Sequence, residues 1–167
     1  MAASDAAQLP PEAENQLVAE LARLALEQAA PEELVLFPDN AEEYFKDPQA
    51  ALSPERRDEA LGFGLDLAIL TPYILAVATS VIRFLVSTVG EAVGEESKPL
   101  VTRIVRRLLR RPEAASEEAD EASPPPLTGD QTRRVREIAY QRAKGLGLDE
   151  DQAVLLADSV VGGLVLG

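Results

Sequence analysis

The chain contains no cysteine and no histidine. Thiol nucleophiles, disulfides, imidazole bases and the common zinc sites are therefore excluded together. Carboxylates are left as the acid–base groups, and no second group accompanies any of them at a telling spacing. Asp66, at the entrance to an apolar stretch, reads as a helix-end carboxylate or a partner for Arg83 or Arg56, and the sequence points away from catalysis. No cofactor, metal or small-molecule substrate is implied. A chain without cysteine suits either redox compartment. Basic residues are scarce, 16 against 29 acidic, for a net charge of −13, which argues against nucleic acid as a general partner. Thirteen of the 16 basic residues are arginine, the bias of a GC-rich genome and hence a bacterial source. The N-terminus lacks the basic and apolar regions of a cleaved export signal. Neither GFG at Gly62 nor GLG at Gly145 has the surroundings of a phosphate-binding loop.

Charge is nearly missing from one long stretch. Leu67 to Gly90, LAILTPYILAVATSVIRFLVSTVG, is interrupted only by Pro72 and Arg83. At about 1.5 Å per residue it reaches roughly 36 Å, enough to cross a hydrocarbon core of about 30 Å. Its twelve Leu, Ile, Val and Phe residues favour insertion by roughly 4 to 7 kcal/mol. Against them stand Arg83, which costs about 2.5 to 3.5 kcal/mol at mid-membrane, and the proline and hydroxyl residues, so the sum is near zero. Thr79, Arg83 and Ser87 fall at i, i+4 and i+8 and form a polar stripe that wants a partner. In lipid the stripe faces another helix. In water it belongs to a bundle helix whose Arg83 reaches a carboxylate on a neighbour. The two readings share one geometry.

Helical pattern surrounds this segment. Leu17, Leu21 and Leu24 recur at helical spacing in a first amphipathic helix that ends near Ala30. Asn40 and Glu43 have capping-box spacing for a short helix stopped by Pro48. Leu34, Leu36, Phe37, Tyr44 and Phe45 read as a lid over the helices. Ser53 and Pro54 suit a helix start that continues toward Gly90, with a break between Gly62 and Pro72 and further bending at Gly90, Gly94 and Pro99. Lys98 to Arg111 forms a basic amphipathic helix. Its Arg103, Arg106, Arg107, Arg110 and Arg111 are candidate contacts for anionic lipid, or a charged face that offsets the chain's carboxylates. Residues 112–126 carry five acidic residues and four prolines and read as a disordered linker.

Thr128 can cap a helix that carries Val135, Ile138, Ala139 and Leu146, with Gly145 or Gly147 in the left-handed position at its end. Asp149 and Gln152 form a capping box for a second helix, apolar nearly all round. About forty residues are too few to stand alone, so this hairpin must dock on the rest of the chain, self-associate or bind another protein. Val135, Ile138, Val154, Val161 and Leu164 are its candidate partner contacts.

The expected fold is all-α and bundle-like, with one long hydrophobic central helix and a C-terminal helical hairpin. Four regions are expected: an N-terminal helical region (1–52), the hydrophobic and basic helices (53–111), the acidic linker (112–126) and the hairpin (127–167). The expected function is that of a non-catalytic adaptor. Its hairpin binds a protein partner, and its central helix associates with the bacterial inner membrane or that membrane's cytoplasmic face. The alternatives are a soluble, cytoplasmic assembly subunit that hides Leu67 to Gly90 in an oligomeric core, and a small membrane-perturbing effector.

Overall fold

A computed structural model describes residues 9–53, 70–93, 105 and 127–166. Among these there are six α-helices, one 3-10 helix and no strand, an all-α fold. The helices are α1 (Pro11–Ala29), α2 (Phe37–Lys46), α3 (Pro48–Ala51), α4 (Thr71–Val93), α5 (Gly129–Gly145) and α6 (Glu150–Leu166), with the 3-10 helix Pro31–Val35 between α1 and α2. The helix expected from Pro54 on, the glycines at 62 and 64, Asp66, the bends at Gly94 and Pro99, the five arginines from Arg103 to Arg111 and the acidic stretch 112–126 lie outside the described residues.

The four long helices pack in a ring, α1 against α4, α4 against α5, α5 against α6 and α6 against α1. Their directions follow from single contacts. Glu33, just past the end of α1, binds the first residues of α4, and Glu14 near the start of α1 meets Arg83 further along α4, so these two helices are antiparallel. Gly163, near the end of α6, abuts Leu24 and Ala25 near the end of α1, so those two are parallel. α5 and α6 form an antiparallel hairpin, and α4 and α5 must then run the same way. The chain between Val93 and Leu127 thus joins opposite ends of the bundle, the topology with one long crossover. Within it Val105 is fully buried in the core.

Each helix contributes the face that its apolar spacing dictates. In α1 the buried set is Leu17, Val18, Leu21, Ala22, Ala25 and Leu26, a doubled stripe that serves both neighbours. In α5 it is the narrow row Val135, Ala139 and Ala143, whose small side chains let the neighbours approach. Burial of leucines such as Leu17, Leu21 and Leu26 contributes about 1.5–3 kcal/mol each relative to exposure.

α4 changes character along its length. Thr71 to Ala78 are buried on every side, because α2 and α3 cover the face that a four-helix ring leaves open. Beyond Thr79 the buried residues narrow to Val81, Ile82, Leu85 and Val86, and Arg83 faces solvent. α4 begins at Thr71, with Leu70 outside it, and Pro72 sits in the first turn, where its missing N–H costs nothing; residues 62–69, where the sequence suggests a break, lie outside the described residues. Gly90 lies inside α4 and does not end it.

Local signals account for most of the helix ends. Thr128 and Gln131 form a reciprocal capping box, and so do Asp149 and Gln152. Gly147, at φ 88°, closes α5 in a Schellman motif, with Leu148 N donating to Ala143 O and Gly147 N to Lys144 O. The Asn40–Glu43 capping box does not form. α2 already begins at Phe37 with Pro38 in its first turn, and Asn40 N bonds to Leu36 O inside the helix. Asp47 instead caps α3 by accepting from Ala50 N.

Two adjacent glycines in α6 should respond oppositely to alanine. A Cβ at Gly163 meets Leu24 Cβ at 3.1 Å and Ala25 N at 3.3 Å, a contact between helix backbones that cannot easily open. The nearest atoms to a Cβ at Gly162 all belong to the end of the exposed, flexible Gln28 side chain. Urea unfolding should show Gly163→Ala destabilised by about 1–3 kcal/mol. Gly162→Ala should be neutral or stabilised by up to about 1 kcal/mol, from helix propensity.

Candidate functional site

The described residues contain no cluster of carboxylates able to hold a metal ion. No buried polar side-chain atom among them lacks a hydrogen-bond partner. The features that carry chemistry are carboxylates joining one element to another, and apolar side chains that the bundle leaves uncovered.

The first carboxylate is Glu33, half-buried in the 3-10 helix. It accepts from Leu70 N at 2.8 Å, Thr71 N at 2.9 Å and Thr71 Oγ1 at 2.6 Å. The first amides of a helix have no partner in their own helix, and the summed peptide dipole there is positive, so an anion is the fitting acceptor. Glu33 thus caps α4 from another element and satisfies the fully buried Thr71 hydroxyl. The second is Glu14, whose Oε1 receives Arg83 Nε at 3.1 Å and Arg83 Nη2 at 3.0 Å. The arginine side chain is 68% exposed, so the pair contributes on the order of 1 kcal/mol or less. A carboxylate on a neighbouring helix is what the Arg83 position anticipates for a bundle in water. Within the hairpin, Arg136 pairs with Asp158 at 2.8 Å, and the Tyr140 hydroxyl lies 2.8 and 3.0 Å from the Glu150 oxygens. The Glu150 carboxylate holds the phenol proton and raises the Tyr140 pKa above the ordinary 10.0.

The stripe Thr79, Arg83 and Ser87 faces outward. Thr79 and Ser87 are half-buried, and the Thr79 hydroxyl donates to Leu75 O at 2.8 Å within its own helix. Of the hairpin residues, Val135 is fully buried in the core, while Ile138, Val154, Val161 and Leu164 are half-buried. The second helix of the hairpin docks on α1, which supplies the cover that its apolar sequence demands. What remains outward on α6 includes Val154, Leu155, Val161 and Val165, an apolar row that exposed Asp151 opens and Asp158 interrupts. Leu155 is 41% and Val165 62% exposed.

The 3-10 turn departs most from the reading of the sequence. Phe37 and Tyr44 are buried, and Leu34 and Phe45 pack against the core, as expected of a lid. Leu36, assigned to the same cluster, is 55% exposed, and its neighbour Val35 is 84% exposed. Glu33 and Thr71 are 38 positions apart, so no local motif announces their contact. Its bonds turn residue 33 inward, while 35 and 36 face water.

No protein family, curated protein or solved structure matches this chain.

In Glu33→Gln one acceptor oxygen becomes an NH2 group aimed at donors, and only part of the triple contact can survive. The substitution should lower stability by about 1–3 kcal/mol and the melting temperature by several degrees. An unchanged urea midpoint would show that the cap contributes nothing net.

Proposed function

We propose that the protein is a non-catalytic helical adaptor that presents the outer face of α6 to a protein partner. The observation that carries this reading is the row Val154, Leu155, Val161 and Val165, exposed or half-exposed on a helix whose opposite side is already spent on the core. Large apolar side chains aligned on a rigid helix suit a groove or helix on a partner, the i, i+3, i+4, i+7 mode of recognition. Deleting the whole hairpin is an unsuitable test, because α6 also packs against α1. The informative variant is Leu155→Asp with Val165→Asp. It should keep the wild-type melting temperature within a few degrees and lose the partner that the wild-type chain captures from its host. Equal capture by both proteins would overturn the reading.

A second reading, association with the cytoplasmic face of the bacterial inner membrane, is favoured by α4, since Thr71–Val89 is long and apolar enough to cross a bilayer. The core helix of a soluble bundle meets the same criterion. The bundle packing of α4 leads us to expect the untagged protein at low expression in the soluble fraction. Retention in membranes after both salt and carbonate washes would support an inserted α4. Release by salt alone would assign binding to the arginine-rich segment instead.

A further inference from the structure

The turn between α1 and α2 inverts the usual order of polarity. Its carboxylate, Glu33, is drawn inward to the start of α4, while Val35 and Leu36 face solvent. Both sides of the pair are fixed, Glu33 by three hydrogen bonds and Phe37 by burial in the core. Val35 and Leu36 therefore cannot fold back without breaking one anchor, and a partner meets them already ordered.

The surroundings of the pair select the partner by charge. Exposed Glu32 lies one 3-10 turn before Val35, and exposed Asp39 lies in the first turn of α2, just past Leu36. Residues 9–53 contain ten acidic and two basic residues. Both basic ones, Arg23 and Lys46, are engaged in ion pairs on their own helices, with Glu27 at 3.2 Å and Glu42 at 2.8 Å. The last turn of α1, whose carbonyl end points toward this loop, carries no basic side chain of its own. A second copy of this acidic face, or an anionic lipid surface, would be repelled.

We propose that Val35 and Leu36, flanked by the exposed carboxylates Glu32 and Asp39, form a docking site for a basic amphipathic segment of a partner protein. The segment seats its apolar side chains on Val35 and Leu36 and meets the two carboxylates with lysine or arginine. The proposal rests on the reading of the protein as an adaptor, but it uses a face other than that of α6.

The test is fluorescence anisotropy of the full chain with a labelled amphipathic peptide of Leu and Lys, about four helical turns long. A peptide of the same pattern with Glu for Lys serves as control. The Lys peptide should bind in the micromolar range, with Kd rising about tenfold for Val35→Ser with Leu36→Ser. Kd should rise severalfold for Glu32→Gln with Asp39→Asn, and also between low and physiological salt. All four positions are exposed, so both variants should melt like the wild type. No binding, equal binding of the Glu peptide, or an unchanged Kd in the Val35 and Leu36 variant would overturn the site. So would a concentration-dependent dimer of the wild-type chain that this variant abolishes, since the occupant would then be a second copy. If the peptide fails while the α6 variant still loses its partner, only the turn assignment falls. If the peptide binds here and the α6 variant captures its partner normally, the α6 assignment falls and this site stands.

Discussion

A helix with no polar face over its first two turns must be enclosed on every side, and the arrangement of the other elements follows from that requirement on α4. Two long neighbours, α1 and α5, cover only part of a helix in a four-membered ring. The remaining face, from Thr71 to Ala78, is closed by α2 and α3, two short helices that would have little reason to be there otherwise. Where the covering ends, α4 becomes amphipathic and exposes Arg83. The point at which the composition of α4 changes is thus the point at which its surroundings change, and the segment 31–53 belongs to the core because α4 needs it.

Enclosure creates a second requirement at the start of α4. Its first amides are shielded from water by the cover, and a buried unpaired donor costs about 1–3 kcal/mol. Glu33 resolves this from outside the helix, which ties the 3-10 turn to α4 and fixes the path of the chain into α2. The exposed Val35 and Leu36 lie directly past this tie. At three residues per turn Val35 lies on another side of the 3-10 helix from Glu33, Leu36 sits in the turn past its end, and Phe37 again packs inward. One polar contact thus positions the cover, with the apolar pair on its outside.

What the sequence reveals divides along the range of the interactions. Elements set by contacts within four residues are legible: the stripe Leu17–Leu21 in α1, the caps at Thr128 and Asp149, and a left-handed glycine at 145 or 147, which the fold places at Gly147. The Asn40–Glu43 spacing shows the limit of such signals. With Pro38 and its preset φ in the first turn, the helix is capped at Leu36, four residues earlier than Asn40, and leaves the box without amides to cap. Contacts between distant segments are not legible. Nothing near Glu33 points to Thr71, and nothing near Gly163 tells that α1 would close on it rather than another protein. The doubtful feature of the hairpin, a second helix apolar nearly all round, resolves into an inner side given to α1 and α5 and an outer row that stays in contact with water.

α4 is long and apolar enough to cross a membrane and yet packs in a bundle. Hydrocarbon chains are as apolar as leucine, so the side chains of α4 gain little by exchanging one environment for the other. The difference lies in what is left behind. Departure of α4 breaks the bonds from Leu70 and Thr71 to Glu33 and the pair between Arg83 and Glu14. It also returns to water the faces that α1, α2 and α5 turn toward α4. Each apolar side chain so exposed costs about 1.5–3 kcal/mol, against an insertion free energy near zero for the lone segment. Apolar length alone is therefore a poor guide to where such a helix resides; the decisive quantity is how much amphipathic surface elsewhere in the chain is complementary to it.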